Sequence, residues 1–83
     1  MDINVLIRKV RECLPAGWTA SEFCSFDILS MKAAGAPRVE IHTIHRSLGE
    51  GRDRLAEQSQ IRDDLRGRGF QLREKFGRLI VDG

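Results

Sequence analysis

Phe26-Asp27-Ile28-Leu29-Ser30-Met31-Lys32-Ala33-Ala34-Gly35-Ala36-Pro37-Arg38-Val39-Glu40-Ile41-His42-Thr43-Ile44-His45 is the stretch on which the reading of this chain turns. Phe26 and Ile28 alternate with Asp27 and Leu29, and Val39 and Ile41 alternate with Glu40 and His42. Gly35 and Pro37 mark a connection between the two runs, so the pattern predicts a β-hairpin. If the apolar residues share the core face, the period of two gathers Asp27, Glu40 and His42 on the other face. Pairing Ile28 with Ile41 sets Asp27 opposite His42, and pairing Ile28 with Val39 sets it opposite Glu40. Two carboxylates and an imidazole are the donor set of a divalent-metal or acid/base site. Three solvated polar residues on a sheet face give the same pattern.

Eighty-three residues predict one domain, residues 1–83, near the small end of what one apolar core can support. The apolar fraction of 41% and charged fraction of 31% belong to a folded chain rather than a disordered one. Cys13 and Cys24 have neither a Cys-x-x-Cys spacing nor enough companions for a disulfide framework, and both read as reduced, buried thiols. The start of the chain has no basic and apolar segments of a signal peptide, and no run reaches transmembrane length. The expectation is a soluble cytoplasmic protein with no membrane partner.

The net charge of +2 demands no polyanion, but its distribution is uneven. Residues 1–45 are neutral, whereas Arg62–Arg78 carries six basic side chains against three acidic ones. Arg62, Arg66, Arg68, Arg73, Lys75 and Arg78 are therefore the candidate nucleic-acid-binding residues, with Phe70 and Phe76 as stacking surfaces. The alternative is a set of solvated ion pairs with Asp63, Asp64 and Glu74. No zinc spacing, aromatic RNA-recognition strand or helix-turn-helix pair is present.

Outside the hairpin, Asp2 is a natural N-cap for a helix whose apolar stripe runs Ile3, Ile7, Val10 and Leu14, stopped by Pro15 and Gly17. Trp18–Phe23 is ambiguous between strand and turn. A second helix is predicted over roughly Arg52–Arg66, ended by Gly67 and Gly69. Its stripe of Leu55, Ile61 and Leu65 is narrow, with Gln58 near the centre, either lying on its aliphatic stem or aimed at a site. Phe70–Arg73 and Arg78–Val81 read as two short strands. There is also an internal echo: Val10-Arg11-Glu12-x-Leu14 before Gly17-Trp18 matches Ile61-Arg62-Asp63-x-Leu65 before Gly69-Phe70. It fits a duplicated helix–hairpin unit, or two helix-to-strand joints built alike.

Asp27, the triplet Glu40-Ile41-His42 and Gln58 on the following helix resemble the minimal core of the PD-(D/E)xK nucleases. The resemblance spans about residues 18–81. It implies carboxylates holding a divalent metal, with the residue two after the second carboxylate orienting the attacking water. The chain departs from the pattern at Phe26, where the family has proline, and at His42, where it has lysine. Ser25, Ser30 and Cys24 lack any nucleophile-elbow context with His42 or His45.

The sequence thus predicts an α+β fold of order α-β-β(-β)-α-β-β, a mainly antiparallel sheet with two helices packed on one face. The expected core is Ile3, Leu6, Ile7, Val10, Leu14, Trp18, Phe26, Ile28, Val39, Ile41, Leu55, Ile61, Leu65, Phe70, Leu72, Leu79 and Val81. The expected function is non-catalytic binding of a protein partner, as an adaptor, an assembly subunit or a small inhibitor of the kind phages and plasmids encode. Leu29, Met31, Glu40, His42 and Ile44 are its partner-binding residues, because that face is apolar enough to want cover. No cofactor and no metal are called for. Extra burial in a homodimer would help a domain this small.

Overall fold

The computed structural model describes residues 2–23, 26–27, 32–33, 38–75 and 77–82, and for 26–27 and 32–33 the backbone alone. Helix α1 spans Ile3–Arg11, β1 Trp18–Glu22, β2 Phe26–Asp27, β3 Lys32–Ala33 and β4 Arg38–Thr43. Helix α2 spans Arg54–Gly67, β5 Gln71–Lys75 and β6 Arg78–Asp82. The main sheet has order β1-β4-β6-β5 with every neighbouring pair antiparallel, while β2 and β3 pair only with each other. This is the α+β class and element order that the sequence predicts.

The predicted hairpin is a different object. Arg38–Thr43 pairs with Trp18–Glu22, setting Ala20 opposite Ile41 and Glu22 opposite Val39. Phe26 stands opposite Ala33 and Asp27 opposite Lys32. Neither predicted register forms, and Asp27 is opposite neither Glu40 nor His42. The reason is Trp18–Glu22, which offers five residues and two core side chains, Trp18 and Ala20, to the β4 edge.

Both helices start on an aspartate. Asp2 accepts from the Asn4 N–H at 2.8 Å, and Asp53 accepts from Leu55 and Ala56 at 3.0 and 3.4 Å. Each satisfies donors that the first turn leaves open. Helix α1 ends three residues short of Leu14; Cys13 and Leu14 continue in tight turns onto the Val10 and Arg11 carbonyls.

The core lies between the helices and one face of the sheet. Leu6 and Val10 of α1 and Ile61 and Leu65 of α2 pack on Trp18, Ala20, Val39, Ile41, Leu79 and Val81. Ile3, Ile7, Leu14, Phe70 and Leu72 are half-buried around it, as expected of core positions at the margin. Two buried apolar residues, Ala20 and Ile80, are absent from the sequence-based core. Leu55, expected inside, is 65% exposed. It sits in the first turn of α2, two residues after the Asp53 N-cap. Phe26 and Ile28 lie outside the described side chains.

The echo has a structural counterpart. Ala20 opposite Ile41 and Glu22 opposite Val39 in one half match Leu72 opposite Val81 and Glu74 opposite Leu79 in the other. At the centre Val39 meets Val81 and Ile41 meets Leu79. The four-stranded sheet is therefore two αββ units related by a local two-fold, with residues 23–37 inserted in the first. Gly17 and Gly69, at φ +90° and +95°, turn each helix into its strand just before Trp18 and Phe70. That left-handed conformation is strained for any residue with a Cβ. Among the described residues no helix is long and apolar enough to cross a membrane.

Candidate functional site: the sheet face opposite the helices

Because both helices cover one face, the registers fix what the other face carries. Thr19 and Ser21 of β1, Arg38, Glu40 and His42 of β4, Arg78, Ile80 and Asp82 of β6, and Gln71, Arg73 and Lys75 of β5 share it. Ile44 extends the same side, because its N–H bonds the Gly17 carbonyl at 2.9 Å and continues the ladder. Its side chain is 57% exposed.

The charges on this face are interlocked. Asp82 takes Arg73 at 2.9 Å and Arg38 at 3.2 Å, and Arg78 reaches Glu40 at 3.4 Å. Ile80 lies in the middle of these residues, with Glu40 and Arg73 beside it and Arg78 and Asp82 two positions along β6. It is 1% exposed, although it stands on the face away from the core. At the β1 side, His42 Nδ1 is 3.1 Å from the Thr43 carbonyl and Nε2 is 3.1 Å from Ser21 Oγ. A carbonyl only accepts, so the ring hydrogen belongs on Nδ1, and Nε2 then accepts from the serine hydroxyl. The imidazole is thereby held at both ring nitrogens.

The sequence-predicted residues are thus partly brought together and partly separated. Glu40, His42 and Ile44 share one side. Arg73, Lys75 and Arg78, predicted as a separate nucleic-acid surface, join them there. Arg62, Arg66 and Arg68 are on α2, on the other side of the sheet, so the basic stretch does not form one stripe. Arg62 is held by Glu74 and Asp63, at 2.9 and 3.3 Å, and Arg68 by Asp64 at 3.0 Å. Leu29 and Met31 lie outside the described residues, as does the side chain of Asp27.

The nuclease-like constellation is not assembled. Gln58 is buried on the core side and donates Nε2–H to the Gly77 carbonyl at 3.3 Å, closing the β5–β6 turn from below. Glu40 and His42 are across the sheet from it. Among the described residues no group of three His, Cys, Asp or Glu side chains is placed to hold a metal ion. Cys13 is a free thiol, half-buried, donating to the Lys9 carbonyl at 3.3 Å.

Sequence reasoning missed Arg38, Ser21 and Asp82 on this face. The signal for Arg38 and Asp82 was their parity with Glu40 and Ile80, which becomes readable only once β4 is known to pair with β6. No family model matches the chain, and no curated protein or solved structure matches it either.

Proposed function

We propose that the chain is a non-catalytic binding module of the cytoplasm that docks a protein partner through the sheet face opposite the helices, as an adaptor, an assembly subunit or a small inhibitor. The observation that carries this reading is the mixture of charge on that face. Arg38, Arg73 and Arg78 are each held by Asp82 or Glu40, with a buried Ile80 between them and an exposed Ile44 at the end of the strand. A protein surface carrying both signs complements such a pattern, and interleaved charges set orientation and exclude wrong partners. A phosphate backbone would meet Glu40 and Asp82 as well as the arginines. Among the described residues no Phe, Tyr or Trp side chain stands on this face to stack a base, since Phe70 packs against the core.

The nucleic-acid reading keeps one supporting fact: Arg38, Arg73, Lys75 and Arg78 outnumber the two carboxylates on the face. One experiment separates the readings. Labelled DNA and RNA, single- and double-stranded, are run on gels with the wild-type chain over a salt series, with and without Mn²⁺. In parallel, wild-type and R73E/R78E chains are used as bait for protein capture. Unshifted, uncut nucleic acid at low salt, with one protein captured by wild type and lost with R73E/R78E, supports the proposal. A salt-sensitive shift abolished by R73E/R78E replaces it with nucleic-acid binding, and metal-dependent cleavage overturns it.

A further inference from the structure

The two edges of the sheet are treated differently. On β1, the Ile44 N–H bond to Gly17 and the Phe23 N–H bond to the Arg38 carbonyl show that odd residues face β4. Trp18, Ala20 and Glu22 therefore turn their backbone groups outward. That edge is occupied: Arg11 Nε donates to the Ala20 carbonyl at 2.9 Å, and the Trp18 N–H goes to the Pro15 carbonyl at 3.2 Å. On β5, the Phe70 N–H goes to the Leu65 carbonyl, so Phe70, Leu72 and Glu74 are the outward set. Among the described residues no side chain meets the outward N–H or C=O of Leu72 or Glu74.

We propose that this free β5 edge pairs antiparallel with β5 of a second copy of the chain, giving a closed two-fold dimer with one continuous eight-stranded sheet. The two-fold requires paired residues to share a face, and three registers of that kind, centred on Leu72, Arg73 or Glu74, pair three or more residues of β5 with its copy. Centring on Arg73 sets Arg73 against its own copy, and centring on Glu74 sets Glu74 against Glu74 and Arg73 against Lys75. Like charges directly opposite are destabilising. Centring on Leu72 sets Leu72 against Leu72, Gln71 against Arg73 and Phe70 against Glu74, with no like-charge pair. In this register Leu72 meets Leu72 with both groups open, and the Glu74 N–H meets the Phe70 carbonyl, while the Phe70 N–H stays on Leu65.

Charge on α2 favours the same register. At 100° per residue Arg62 and Arg66 lie on the flank of α2 toward β5, where Arg62 already bonds Glu74. Arg66 has no ion pair among the described residues. In the Leu72-centred dimer the partner's Glu74 comes opposite Phe70, just beyond the helical turn that carries Arg66, and supplies its missing carboxylate. With Arg11 covering the β1 edge at both ends of the joined sheet, association stops at two copies.

Sedimentation equilibrium of the whole chain over a concentration series up to millimolar tests this, with circular dichroism checking the fold. Two variants accompany the wild type. E74P removes an outward N–H from an edge strand, where proline is tolerated, and R66E reverses an exposed charge. The expected result is a wild-type mass twice 9.4 kDa, a folded E74P at the single-chain mass, and an R66E dimer weakened roughly tenfold. A wild-type chain that stays at the single-chain mass throughout overturns the proposal. So does a dimer that both variants retain undiminished while folded; loss of the dimer in either folded variant supports it.

Discussion

Arg52 is where three separate pieces of chain converge. Its guanidinium donates twice to Glu57 and once to the Ala16 carbonyl, and Glu57 also accepts from the Trp18 indole N–H at 3.2 Å. The loop before β1, the approach to α2 and the core tryptophan are tied by these bonds. The Arg52 guanidinium, with the Trp18 donor adding to it, holds the Glu57 carboxyl below the usual carboxylate range. A folded pKa below the unfolded one means that the stabilisation is complete above the unfolded value and fades as pH falls through the folded one. Glu57→Gln is therefore expected to flatten the acid limb of the stability–pH profile, measured by urea unfolding from pH 7 down to pH 3. Gly17 supports the same corner: at φ +90°, an added Cβ would come within 3.0 Å of Leu48 Cδ2. Gly17→Ala should cost about 1–3 kcal/mol in the same assay, whereas Gly49→Ala meets no neighbour within 4 Å and carries only the backbone cost of its positive φ.

At the scale of elements, α2 shows what was legible in the sequence and what was not. Its extent to within two residues, the burial of Ile61 and Leu65 and the i,i+4 pair of Asp64 with Arg68 follow from local spacing, and the structure has them. Whether Leu55 is covered depends on what the rest of the chain packs against the first turn of α2, which no helical pattern contains. Leu55→Ala should therefore change stability by no more than about 0.5 kcal/mol in thermal unfolding. The role of Gln58 is likewise settled by a partner nineteen residues away, the Gly77 carbonyl. Gln58→Ala should cost about 1–2 kcal/mol, while Gln58→Met, which keeps the aliphatic stem, should recover part of it. The mispaired hairpin has the same origin. Alternation identified Val39 and Ile41 as inward residues correctly, but alternation is blind to which strand lies alongside. The pairing with Trp18–Glu22 brings the core side chains Trp18 and Ala20 alongside β4, a long-range match that no local pattern contains.

At the scale of the molecule, two αββ halves place both helices on one side and leave the opposite face of four strands without a helix, and this is the face proposed to dock a partner. The candidate site was half legible. The parity of Glu40, His42 and Ile44 could be read directly, while their union with Arg73, Lys75 and Arg78 required the β4–β6 pairing. Arg73 and Arg78 are more than half exposed, so R73E/R78E should leave the fold within about 1 kcal/mol of wild type while removing partner binding. The most direct measurement of the central claim is amide hydrogen exchange of the chain, free and bound to the captured partner. The account predicts added protection in Arg38–Thr43 and Gln71–Asp82, with α1 unchanged. Protection confined to α1 and α2, leaving the strands as they are in the free chain, would contradict it.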